Sequence, residues 1–104
     1  MKNVRLIYTE EFTNSFLETI EYIKQESPNS AKLFARKVSD KIKLLKTFPE
    51  IGKQSEDFRL AGIRILIIGN YLILYEYIQK EKLVYLHLFC HGARDYQNIF
   101  KDLK

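Results

Sequence analysis

The sequence contains no tryptophan, one cysteine, one methionine and two histidines in 104 residues. A lone Cys90 excludes an internal disulfide and a multi-cysteine zinc site, and it points to reducing cytoplasm as the expected compartment. No apolar run reaches the ~18 residues that a membrane-spanning helix needs. The opening residues carry a short apolar stretch that Glu10 and Glu11 interrupt, which does not fit a signal peptide. There is no glycine-rich phosphate loop, Walker sequence or nucleophile elbow. Internal repeats, low-complexity tracts and flexible linkers are also missing. The expectation is a single domain over residues 1–104 that takes no cofactor and no metal.

What is present is an ordinary globular composition, with 46% apolar and 29% charged residues. The formal charge of +4 is mild and allows either a nucleic-acid or an acidic-protein partner. Its distribution is more informative than its size. The segment from Pro28 to Lys46 holds Lys32, Arg36, Lys37, Lys41, Lys43 and Lys46 against Asp40 alone. These cations look spread around a helix, which is the pattern of a solvated face.

Hydrophobic period orders the elements. Val4, Leu6 and Tyr8 alternate with Arg5 and Ile7 as a short strand. Thr9 suits a helix N-cap, and Glu10 and Glu11 then favour the positive end of the helix dipole. Phe12, Phe16, Ile20 and Ile23 form one helical stripe that ends near Gln25–Ser27. Ser27-Pro28 reads as a second N-cap with proline at the first helical position. Ala31, Phe34, Val38, Ile42 and Leu45 make the next stripe, which stops before Pro49. The stretch from Pro49 to Gly62 is polar and reads as irregular.

Residues 63–68, 71–78 and 83–90 are rich in β-branched and aromatic side chains and are separated by Gly69-Asn70 and Gln79–Lys82. The order is β-α-α-β-β-β, with a short final helix over 95–104. The fold class is α+β: an antiparallel sheet covered on one face by a helical hairpin, with the first strand joining the same sheet. The aliphatic rows (Leu72, Leu74, Ile78 and Val84, Leu86, Leu88, Cys90) are expected under the helices. Tyr71, Ile73, Tyr75, Tyr77, Tyr85, His87, Phe89 and His91 would then line the wetter face. That face suits a protein or nucleobases, or else packs against the C-terminal segment. Cys90 reads as a buried structural thiol. His87 and His91 would stand ~13 Å apart along a strand, too far to share a metal.

Two clusters could carry chemistry. His91-Gly92-Ala93-Arg94-Asp95-Tyr96 offers a base, a cation and an acid at a strand end, a set that could cleave RNA. Alternatively, His91 serves a turn and Arg94 pairs with Asp95 or Asp57. The second cluster is Lys53 with Arg59 and Arg64, whose arginine forks fit phosphates or carboxylates, or simply anchor a loop. The cations Lys32, Arg36 and Lys43 form a third, docking-type candidate.

These pieces, in order, resemble the RelE/ParE family of bacterial toxins from type II toxin–antitoxin pairs. The resemblance is carried by the helical hairpin with Ser27-Pro28, Phe48-Pro49-Glu50-Ile51-Gly52 and Arg59-Leu60-Ala61-Gly62-Ile63-Arg64. Tyr71-Leu72-Ile73-Leu74-Tyr75 and His91-Gly92-Ala93-Arg94-Asp95 complete it. It covers nearly the whole chain, and the final motif is most similar to the ParE branch. The resemblance implies a growth-inhibiting toxin neutralised by a cognate antitoxin whose C-terminal segment wraps it. ParE-like members inhibit DNA gyrase by binding it, with no covalent chemistry of their own. RelE-like members cut messenger RNA on the ribosome. In that branch Arg64, His91, Arg94 and Tyr96 would be the catalytic candidates. Lys53 here sits in a loop with Glu56 and Asp57, whose charge opposes an RNA backbone. The gyrase-directed reading is therefore preferred. The alternatives are a ribosome-dependent endoribonuclease and an inactive binding protein of the same fold. Lys53, Arg59, Arg64, His91 and Arg94, with Lys32, Arg36 and Lys43, are the candidates for contacting target or antitoxin. No membrane partner is expected.

Overall fold

The computed structural model describes residues 4–57 and 60–92. Its elements are β1 (Arg5–Tyr8), α1 (Glu10–Glu26), α2 (Pro28–Thr47), β2 (Lys53–Gln54), β3 (Ile63–Ile68), β4 (Tyr71–Ile78) and β5 (Leu83–His91). Local chemistry sets most of these limits. The Thr9 hydroxyl accepts the Phe12 N–H at 3.1 Å, and the Ser27 hydroxyl accepts the Ser30 N–H at 3.1 Å. Pro28 follows directly in the first turn of α2. Pro49 closes α2, which caps at Phe48. Gly69 takes φ +58°, the positive angle that a two-residue hairpin asks of its first residue.

The five strands run in the order β1-β5-β4-β3-β2. The β3-β4-β5 meander is antiparallel, as its hairpins require. β1 instead lies parallel to β5, so the expected antiparallel sheet is mixed at that edge. Two hairpins set the direction of β5. The direction of β1 is set by having to deliver α1 back over the sheet, with no hairpin to reverse it. The two-residue β2 was not anticipated, because it has too few residues to show a period.

α1 and α2 cover one sheet face. Beneath them Phe12, Val38, Ile42, Leu45, Ile73, Tyr75, Val84, Leu86 and Phe89 form the main core. Tyr71 and Tyr77 pack at its margin. The opposite face holds a second cluster of Leu60, Leu74, Leu88 and Cys90, with Leu72, Ile63 and Ile65 beside it. The sequence-based assignment of faces is therefore reversed for β4 and split for β5. The tyrosine row faces the helices. Tyr75 is fully buried because its one polar atom is satisfied. Tyr71 stacks on Phe89 with ring centroids 5.3 Å apart and also meets Phe34 at 5.2 Å.

The split in β5 has a single cause. Leu74 pairs with Leu88 but Tyr75 pairs with Leu86, so His87 is an extra residue, a β-bulge. Beyond it every side chain changes face, which sends Phe89 inward and Leu88 and Cys90 outward. Hydroxyls near the start of α1 serve the backbone groups at the bulge. Thr9 Oγ1 lies 2.8 Å from the Leu86 carbonyl and 3.1 Å from that of His87, and Ser15 Oγ accepts the Phe89 N–H at 3.3 Å. Cys90 is buried as expected, but on the face away from the helices.

Candidate functional site

The segment that follows α2 is held by two side chains from the sheet. Tyr75 and Arg64 lie opposite each other on β4 and β3, so both point under the turn at Pro49–Gly52. The Tyr75 hydroxyl donates to the Pro49 carbonyl at 2.8 Å and accepts the Gly52 N–H at 2.8 Å. Burial pushes the phenol above its ordinary value near 10, and the nearby Glu50 adds to this. The Gly52 N–H and Arg64 work in the opposite direction. At neutral pH the phenol therefore keeps its proton and can make both bonds.

Arg64 completes the clamp. Its Nη1 donates to the carbonyls of Glu50 at 3.0 Å and Gly52 at 2.8 Å. Its Nη2 stands 3.6 Å from the Glu50 carboxylate. Most of this guanidinium is covered, with 17% of the side chain exposed. Among the two functions that the sequence left open for Arg64, the described geometry serves the loop anchor. Lys53, the residue after Gly52, is exposed on β2 opposite Ile65. The clamp leaves Phe48 and Ile51 facing outward, exposed at 57% and 48%. They line an apolar recess of about 550 Å3 with Thr47, Pro49 and Glu50. Tyr75, Phe48 and Ile51 were missed as site residues. The usable signal was Gly52, because a glycine just after Pro49 marks close approach by another group.

The second cluster is only partly described. His91 ends β5 on the helix-facing side, edge-on to Tyr71 with ring centroids 5.3 Å apart. Its Nδ1 is buried and has no hydrogen-bond partner among the described residues. The Gly92 N–H closes the strand end by donating to the Asn70 carbonyl at 2.8 Å. Arg59, Arg94 and Tyr96, with Asp95 and the expected helix over 95–104, lie outside the described residues. His87 is on the opposite face from His91 because of the bulge. There it meets Glu76 at 3.2 Å and stacks beside Tyr85. No group of three metal-ligating side chains occurs among the described residues. No described helix is long and apolar enough to cross a membrane.

The third candidate differs from expectation. Lys32, Arg36, Ser39, Lys43 and Lys46 are all exposed, and they follow one another at alternating four- and three-residue steps. That spacing places them on one line along α2, with only Lys37 and Lys41 elsewhere. Ser39, Lys43 and Lys46 line a cleft of about 510 Å3 against Val4, Arg5, Leu6, Ile7 and Tyr8.

Comparison with known proteins gives this geometry a family. No curated protein matches the chain. Among solved structures, the chain is similar to one in the toxin–antitoxin complex RelBE2 from Mycobacterium tuberculosis. The identity is 19%, with 86% of this chain and 98% of that one covered and a TM-score of 0.62. It is also similar to a chain of the chromosomal ParDE toxin–antitoxin system from P. aeruginosa. Here the identity is 15%, with 85% and 95% covered and a TM-score of 0.68. At these identities the likeness establishes the fold, two helices on a mixed five-stranded sheet. Residues 6–96 match the family described as the ParE toxin of the type II toxin–antitoxin system parDE, and the chain therefore belongs to that toxin family.

Proposed function

We propose that the protein arrests growth by binding a protein target, DNA gyrase, and that a cognate antitoxin neutralises it. One observation carries the first half. The clamped turn spends its arginine inward on the Glu50 and Gly52 carbonyls and presents Phe48 and Ile51 outward. Exposed apolar side chains on a braced backbone suit a protein surface. An RNA phosphate needs a free cation, and here Arg64 is tied down beside the Glu50 carboxylate. Lys53 remains a candidate target contact, next to that turn.

An antitoxin partner is supported by the family and by both similar structures, which are toxin–antitoxin assemblies. The line of Lys32, Arg36, Lys43 and Lys46 would steer an acidic segment toward α2. Changing Lys32, Arg36 and Lys43 to glutamate slows association and reduces its salt sensitivity; an unchanged on-rate places the antitoxin elsewhere.

The test of the target is direct. Purified protein is added to gyrase from the native host, and supercoiling is followed together with trapped, cleaved DNA. Supercoiling falls, and a Phe48→Ala/Ile51→Ala variant restores it. If the gyrase is unaffected, this reading fails. Messenger cuts in translating ribosomes that vanish in an Arg94→Ala/Tyr96→Phe variant would replace it with the endoribonuclease. Growth that continues on induction without antitoxin would leave an inactive binding protein.

A further inference from the structure

α2 carries more apolar surface than the fold uses. Its buried residues are Ala31, Val38, Ile42 and Leu45. Leu33 and Leu44 lie off that stripe, and Leu33, at 70%, is the most exposed large apolar side chain among the described residues. Single exposed leucines are ordinary on a surface, but these two end a pattern. Between them, at steps of four, three and four, stand Lys37 and Asp40. Those steps are the spacing of a two-helix seam. Ser30 and Thr47 extend it by three residues at either end, and all six side chains are exposed. The centre of the seam lies ~110° around the helix from the line of cations that borders β1.

The seam reads the same from both ends. Turned end for end about the midpoint between Val38 and Ser39, it lays Leu33 on Leu44, Lys37 on Asp40 and Ser30 on Thr47. Apolar meets apolar, cation meets anion and hydroxyl meets hydroxyl. Asp40 is the one acid between Pro28 and Lys46, and it falls within this seam. No ion pair holds Lys37 or Asp40 among the described residues. A purely acidic partner would leave Asp40 facing a like charge, and a purely apolar one would strand both charges. A second copy of this chain matches every position.

We infer that the protein self-associates through α2 as an antiparallel pair related by a two-fold axis. Leu33 packs on the partner's Leu44 and Lys37 pairs with the partner's Asp40. Such an interface uses one surface twice, so each contact occurs twice. Two features keep the dimer weak. The leucine layers are only ~17 Å of helix apart, short of a standard interface. Arg36 and Lys43 flank the seam, and each meets the other's counterpart across the pair. Both are exposed, so salt screens much of that repulsion. A dissociation constant near ~100 μM is expected. The antiparallel pair sets its two Phe48–Ile51 turns ~30 Å apart, at opposite ends of the helices. Under the target reading above, the dimer would offer two contacts in place of one.

Self-association is measured on the purified full chain, so it is judged apart from the target reading. Sedimentation equilibrium from ~10 μM to ~1 mM follows the monomer and dimer. Asp40→Lys, which puts two like-charge pairs in the seam, weakens the dimer at least ~tenfold. The swap Lys37→Asp/Asp40→Lys restores the affinity to within ~threefold of the parent, which excludes misfolding as the cause of the loss. Arg36→Glu tightens the dimer by placing an acid beside the partner's Lys43. Orientation is read by disulfide trapping. A mixture of the Leu33→Cys and Leu44→Cys chains gives the mixed dimer under mild oxidation, while neither chain alone is trapped. The native Cys90 is buried and does not compete. A chain that stays monomeric up to ~1 mM overturns the proposal. A dimer indifferent to Asp40→Lys, or one that the swap does not restore, assigns self-association to another surface and overturns it as well. Trapping of Leu33→Cys with itself would mean a parallel pair, which the two-fold seam excludes.

Discussion

The Tyr75 hydroxyl and the Gly52 amide are joined by a 2.8 Å hydrogen bond, and a Cβ built on Gly52 would lie 2.7 Å from that same hydroxyl. The bond and the missing side chain are one requirement, because the backbone must come this close for the phenol to reach it. Two substitutions separate the parts. Tyr75→Phe keeps the ring but strands the Gly52 N–H and the Pro49 carbonyl, at a cost of about 1–3 kcal/mol. Gly52→Ala keeps the phenol and forces the turn outward, at a cost of about 1–3 kcal/mol as in other overpacked sites. Urea unfolding measures both. Because the two act on one contact, the double variant should lose less than the sum.

The raised phenol of Tyr75 gives a pH signature. Above the ordinary tyrosine value near 10 the unfolded chain releases this proton while the folded chain holds it. The folded state then binds more protons, so stability falls as pH rises. The contribution is complete below the unfolded value and is lost as pH climbs through it toward the folded value. Unfolding free energies of the parent and Tyr75→Phe, compared from pH 8 to 11, should converge at the alkaline end. Parallel curves would mean that the phenol is not held as described.

Arg64 should behave as a brace. Arg64→Lys keeps a charge but cannot reach the Glu50 and Gly52 carbonyls with a planar fork. A loss of about 1–2 kcal/mol is expected, with faster amide exchange confined to residues 50–54. The charge pair with Glu50 contributes little by itself, since the Glu50 side chain is 66% exposed. Glu50→Gln should therefore stay within about 0.5 kcal/mol of the parent.

Thr9 and Ser27 are both N-caps, yet their substitutions should differ. Ser27→Ala removes one cap bond at an exposed helix start and costs about 1 kcal/mol. Thr9→Val removes the cap of α1 and also the hydroxyl beside the Leu86 and His87 carbonyls. It should cost about 2 kcal/mol or more. Amides of β5 near the bulge should exchange faster in Thr9→Val and not in Ser27→Ala.

Much of the frame was legible in the residue order. Thr9 and Ser27-Pro28 start helices wherever they stand, because a cap acts within three residues. Gly69-Asn70 turns a hairpin for the same local reason. The toxin-family resemblance spread across the chain in pieces that kept their order. The site was less legible. Arg64 has the fork of a phosphate or carboxylate ligand, and only the fold brings the Glu50 and Gly52 carbonyls within its reach. The four- and three-residue steps of Lys32, Arg36, Ser39, Lys43 and Lys46 stand in the residue order, but only the fold brings Lys43 and Lys46 beside β1.

The sequence by itself determined the elements and their order, because periodicity, caps and hairpin glycines are short-range and need no knowledge of what lies opposite. Tertiary structure decided which sheet face is core, which way β1 runs and what Tyr75 and Arg64 do. Each of those depends on groups far apart in the chain. One extra residue at His87 changes the face of everything after it in β5, and it is accommodated beside hydroxyls of Thr9 and Ser15, more than seventy positions away. Period-two alternation within a strand cannot register that insertion, because the bulge exists only in the pairing of β5 with β4.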